Sequence, residues 1–349
     1  MYTKKGSKPQ GGKSMEQRYA IEANRVFLLS IIVSQALLYA VVGLGVRDAM
    51  VRQFLMEAFI ALPGVGYMFG QRQSVKSALG INRLSLKQWL LLIPLAVCVD
   101  KIAQFINVVS QLFTPNLVGS HMTELILRYP LPAAFFVIAV MPAVCEELIF
   151  RGILYRNYRK YKVWIAVVLS GFLFGIMHMN LNQFFYAFAL GLAFALVNEI
   201  TGSFLPSVFL HLYVNGRSVV VLYTAVNYLE RLREQYIAAE AAGDTGLMER
   251  LLQAAQGVPV DSENWLDAYL NMGSGTVPEA IAALLPVFLA ALAGAIVVVR
   301  LLIRGSGYKG GFAKGKEETG KEERGGWTAV FSPSLLIGVL ICIAFMFGK

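Results

Sequence analysis

Apolar runs of about 20 residues, the length that crosses a bilayer as a helix, recur along this 349-residue chain. Nothing else in the sequence narrows the fold as far. Candidate spans lie at 26–46, 54–70, 88–113, 131–155, 163–180, 184–200, 204–227, 279–303 and 328–348. Charged residues make up 15% of the chain and hydrophobic ones 56%, against about 25% charged in a soluble domain. The expected fold class is therefore all-α, a polytopic transmembrane helix bundle of about eight or nine spans. Pro and Gly inside the spans do not break them, because neighbouring helices can bond the freed backbone groups.

The net charge of +9 is read as loop charge, since Lys and Arg gather on the cytoplasmic side of membrane proteins; no nucleic-acid partner is expected. Residues 1–25 hold Lys4, Lys5, Lys8, Lys13, Arg18 and Arg25. The loops 71–87 and 156–162 and the segment 304–327 are also basic, whereas 114–130 and 228–278 have no basic excess. Nine spans with the N-terminus in the cytoplasm satisfy all of these together. The run 26–46 exceeds the roughly 7–15 apolar residues of a signal peptide and reads as a retained first helix.

The expected organisation follows: a basic tail (1–25), N-terminal helices (26–129), a core (130–227), an extramembrane helical insert (228–278), and two C-terminal helices joined by a basic loop (279–349). Cys98, Cys145 and Cys342 all lie in apolar runs and read as packing residues, with neither a disulfide framework nor a CxxC pattern.

Some polar residues interrupt the runs. A charge near the bilayer centre costs about 2.5–3.5 kcal/mol and usually serves function. Glu146, Glu147 and Arg151 fall on the fourth span, His178 on the fifth, and His211 and Asn215 on the seventh. Glu147 and Arg151 are four apart, so they stack on one helix face and can pair. Glu146 is about 100° further round and stays free to act as a base. Phe174 and His178, and likewise His211 and Asn215, repeat the four-residue spacing. A carboxylate that takes a proton from water, with a histidine and an amide that donate to a developing oxyanion, would make a hydrolytic site. Each residue taken singly could instead be helix–helix glue, and Arg151 could reach the cytoplasmic surface with Glu147 in tow.

Glu146-Glu147-x-x-x-Arg151, Phe174-x-x-x-His178 and His211-x-x-x-Asn215, in this order, resemble the three motifs of the CPBP family of CAAX proteases and bacteriocin-processing (Abi) enzymes, which are intramembrane endopeptidases. The string Glu199-Ile-Thr-Gly-Ser-Phe-Leu-Pro206 resembles that family's turn between helices. The likeness covers roughly residues 130–220. It implies that Glu146 and His178 activate water, that His211 and Asn215 hold the oxyanion, and that Glu147, Arg151 and Phe174 support them. It implies a substrate that is a membrane-associated peptide or protein, and a place in the bacterial cytoplasmic membrane. A glutamate-activated water requires no metal, and no HExxH helix is present; zinc held by Glu146, His178 and His211 is the alternative. A catalytically silent scaffold or bacteriocin self-immunity protein is the rival function.

Two expectations bear on geometry. With straight, upright helices, Glu146 and His178 would differ in depth by roughly 10 Å. Asp100, Gln104, Asn107 and Gln111 share one face of the third span and are expected to pack against another helix or to line the cavity.

Overall fold

The computed structural model describes residues 15–72, 74–114, 123, 125, 126, 128–262, 276–308 and 330–348. Among these, regular structure is helical throughout. The helices are α1 (Met15–Gly43), α2 (Ala49–Gly70), α3 (Val75–Leu79), α4 (Leu86–Ser110), α5 (Leu131–Arg159), α6 (Val163–Ile176), α7 (Leu181–Thr201), α8 (Leu205–Ala242), α9 (Thr245–Ala254), α10 (Val277–Ser306) and α11 (Pro333–Phe347).

Six of them, α1, α4, α5, α7, α8 and α10, are long and apolar enough to cross a membrane. α6 and α11 are apolar but shorter, with 14 and 15 residues. α2 has 22 residues and carries Arg52, Gln53 and Glu57. Nine helices thus stand where nine spans are expected, and six meet both the length and the polarity of a full span. The molecule is a helical bundle and an integral membrane protein.

Local chemistry sets the helix ends. Asp48 caps α2 by accepting from the Val51 amide at 3.0 Å, and the Tyr129 hydroxyl bonds the same carboxylate. These two bonds hold the Asp48 carboxyl below its ordinary range. A reciprocal capping box between Ser85 and Gln88 starts α4. Gly202, at φ 66°, ends α7 in the left-handed region that glycine tolerates. The turn 202–204 then leads into α8, with Pro206 in its first turn.

α5 is the axis of the fold. α1, α2, α6 and α8 all pack on it. Two stretches of it, Phe136–Val140 and Leu148–Tyr155, are wound as π-helix on either side of the α-helical turn Met141–Glu147. Such widened turns recur at functional sites. α2 runs parallel to α5: Phe54 stacks on Phe136 with ring centroids 6.5 Å apart, and ten residues on, Gly64 lies against Leu148, Ile149 and Ile153.

α7 packs on α6 through a glycine contact. A methyl group on Gly191 would come within 2.7 Å of the Gly171 Cα and 3.2 Å of an Arg151 Nη2. The backbone of α6 cannot give way cheaply. Gly191→Ala is therefore expected to cost about 1–3 kcal/mol of stability, read as a lower thermal midpoint in detergent. Gly66→Ala, with open space around the same added methyl group, should leave the midpoint unchanged or raise it slightly.

α8 continues unbroken through position 227, where the core was expected to end, and stops at Gly243 with φ 70°. Its last turns and α9 close a small core of their own, which includes Leu229, Tyr236, Leu251 and Val260. Over the described part of 228–278, the helices are the end of α8 and α9. Residues 263–275 of the expected insert lie outside the described residues, as do most of the tail 1–25 and most of the basic loop before α11.

Candidate active site

The turn Met141–Glu147 of α5 places Cys145, Glu146 and Glu147 inside the bundle. Glu147 and Arg151 form an ion pair of 2.9 Å in which neither side chain has any exposed surface. The arginine does not reach the cytoplasmic surface; it is locked in place. Its Nη2 donates to the Gly191 carbonyl at 2.9 Å, and its guanidinium lies over the rings of Phe174 and Phe194, at 4.4 Å and 5.2 Å. Glycine at 191 is what allows the arginine this close to α7.

Glu147 has a second partner that the sequence did not reveal. His211 Nδ1 lies 3.0 Å from the same Glu147 oxygen that accepts from Arg151. An ionised carboxylate only accepts, so His211 Nδ1 carries the proton of this bond. The other ring nitrogen, Nε2, faces Glu146 Oε2 at 3.8 Å. One imidazole thus spans two adjacent carboxylates of α5, bonded to one and aimed at the other. The Glu146 side chain keeps 14% of its surface, and its Oε2 has no hydrogen-bond partner among the described residues. Glu147 thus pairs with Arg151 across one turn of helix, and Glu146 has only His211 within ion-pair distance among the described residues.

α6 ends at Ile176, so His178 sits on the turn beyond it and not within a span running to 180. Its Nδ1 lies 2.8 Å from the Phe174 carbonyl. A carbonyl accepts only, so Nδ1 donates and Nε2 is the ring nitrogen left free to meet water. The Phe174 ring contacts His178 edge-on at 5.1 Å and His211 edge-on at 5.7 Å. Both imidazoles flank one phenyl ring. α5 carries two π-wound stretches and α6 stops short, so neither helix is the straight rod that the expected 10 Å offset assumes.

Asn215 is half-buried, and its Nδ2 donates to the Ile138 carbonyl at 3.3 Å. This bond uses one of two amide protons. Asp100 on α4 bonds Gln104 at 2.6 Å and pairs with Arg217 of α8 at 3.4 Å. That part of the polar face of α4 is a helix–helix contact, the first of the two alternatives above. Glu199 is buried and pairs with Arg159 at 2.5 Å, which ties the end of α5 to the last turn of α7.

Glu57 of α2 was missed. It is 4% exposed and lies close enough to Glu146 for the two like charges to act on each other. The signal was available: it is an acid inside an apolar run, as Glu146 is. Phe194 was missed too, and an aromatic among aromatics carries no such signal.

Among the described residues, no group of three or more His, Cys, Asp or Glu side chains is arranged to hold a metal ion. Each histidine commits its Nδ1 to an acceptor, which leaves the two Nε2 atoms, with the Glu146 carboxylate, as the groups that could hold one.

Residues 128–217 match the family model described as type II CAAX prenyl endopeptidase Rce1-like. A curated protein of Bacillus subtilis (strain 168), named "Putative membrane peptidase YdiL", is 31% identical over 106 residues, or 30% of this chain and 43% of that protein. The chain thus spans less than half the length of that curated relative. No solved structure matches this chain. The matched segment contains all three motifs and the helices that bring them together, and over that segment the chain is similar to type II CAAX prenyl endopeptidases of the Rce1-like kind.

Proposed function

We propose that this protein is an intramembrane endopeptidase that hydrolyses a peptide bond of a membrane-associated peptide or protein. The observation that carries the reading is the placement of His211 between two adjacent carboxylates of α5, inside a bundle where unpaired charge is costly. The match of residues 128–217 to the Rce1-like prenyl endopeptidase model supports it, and so does the printed name of the Bacillus relative.

In the reaction, a water between Glu146 and His178 gives a proton to Glu146 as its oxygen attacks the scissile carbonyl carbon. The carbonyl oxygen becomes an oxyanion. It is held by the free amide proton of Asn215 and by His211 Nε2. That nitrogen donates only when the ring carries both protons, and Glu147, which stays ionised throughout, supplies the compensating negative charge. The C–N bond then breaks, the proton on Glu146 passes to the leaving amine, and a new carboxylate and a new amine depart. Every proton is carried by a side chain of this protein or by water. Phe174 keeps the two imidazoles apart and in place, and the Glu147–Arg151 pair fixes the tautomer of His211. The basic loops put the N-terminus in the cytoplasm.

The test is a comparison of membrane peptides by mass spectrometry in cells with the wild-type protein, cells without it, and cells with Glu146→Gln at equal abundance. Intact substrate should accumulate equally in the last two. Rescue of the null profile by Glu146→Gln would assign the protein to scaffolding instead.

A further inference from the structure

The mechanism above leaves a buried acid unused. Glu57 lies on α2, outside the matched segment 128–217. One carboxylate oxygen, Oε1, accepts from Gln53 at 3.0 Å. The other, Oε2, is buried with no hydrogen-bond partner among the described residues, as is Glu146 Oε2. A native fold rarely leaves a buried carboxylate oxygen unpaired, and each instance requires an explanation. Here three occur, at Glu57, Glu146 and Glu147, and the first two lie on different helices. Glu57 falls between the Phe54–Phe136 stack and the Gly64 contact, on the part of α2 that packs against Met141–Glu147. Glu57 therefore lies across the parallel α2–α5 contact from the turn that carries Glu146, within the range over which the two charges act on each other.

We propose that Glu57 is the second acid of the active site and that it holds the hydrolytic water together with Glu146. This rests on the peptidase reading. A water has two protons, and two carboxylate oxygens that lack partners would accept both. That fixes the orientation of the water and leaves a lone pair for the scissile carbon. A water so placed also pairs both orphaned oxygens and separates the like charges. Glu146 takes the proton as the new bond forms; Glu57 keeps its hydrogen bond throughout. α2 then belongs to the catalytic apparatus although no motif lies on it.

The experiment uses the full chain in proteoliposomes, as wild type, Glu146→Gln, Glu57→Leu and Glu57→Gln. The probes are quenched-fluorescence peptides with either a farnesylated or an unmodified cysteine near the C-terminus. Glu57→Leu should lower kcat about 100-fold, the cost of a misplaced reactant, with KM unchanged. The same variant should fold as well as wild type or better, since removing an unpaired buried carboxylate removes a penalty. A merely structural Glu57 would not move kcat and stability in opposite directions. Glu57→Gln, which keeps one acceptor oxygen, should lose less. An unchanged kcat in Glu57→Leu beside an inactive Glu146→Gln overturns the proposal. If wild type and Glu146→Gln give equal signals, the peptidase reading has failed, and an experimental structure that resolves ordered water decides on Glu57 separately. One water within hydrogen-bonding distance of both carboxylates supports the assignment. Glu57 Oε2 bonded directly to a protein group overturns it.

Discussion

Glu146→Gln is expected to lower the cleavage rate by about 10²–10⁴-fold, the range supplied by a positioned general base, while leaving the bundle folded. The amide has the size of the acid but cannot take the proton of water. Folding should survive because Glu146 makes no hydrogen bond through Oε2 and is the less buried of the two adjacent acids. Initial-rate kinetics in detergent or liposomes measure the first part, and the thermal midpoint measures the second. Glu147→Gln should behave differently. It weakens both the bond to Arg151 and the bond that fixes His211, so activity and stability fall together. A wild-type rate in purified Glu146→Gln would remove the proposed chemistry.

Arg151→Met should destabilise the protein by about 3–5 kcal/mol, the usual penalty when one member of a buried ion pair is removed and the other stays behind. Glu147 would keep His211 as a partner but lose the cation that neutralises it, in a position with no exposed surface. The methionine would also forgo the bond to the Gly191 carbonyl and the stacking on Phe174 and Phe194. Arg151→Lys restores the charge but not the fork: an ammonium cannot bond Glu147 and Gly191 at once in this geometry while lying flat on two rings. It should fall between wild type and Arg151→Met. Thermal melts monitored by circular dichroism give the order. Equal midpoints for all three would mean that the pair contributes nothing to holding α5 against α6 and α7.

Much of this was legible in the sequence because lipid is a severe solvent. A run of apolar residues of bilayer length has one way to satisfy its backbone, so helices appear at all nine expected places. A charge within such a run is costly wherever the helix ends up packing, which is why Glu146, Glu147, Arg151, His178 and His211 could be singled out before any contact was known. Four-residue spacing on a helix is fixed by the backbone, and it brought Glu147 to Arg151 and Phe174 to His178.

What spacing cannot encode is which face of one helix meets which face of another. That His211 turns its two nitrogens to two neighbouring glutamates, that Asn215 gives one amide proton to the Ile138 carbonyl, and that Arg151 reaches α7 through the space left by Gly191 are all decided by packing between helices distant in sequence. So are the π-wound stretches of α5 and the place of Glu57. The chain by itself determined which residues are too polar for lipid; only the tertiary structure decided which of them meet, because a helix fixes neighbours within its own turns and leaves contacts between helices to shape and charge.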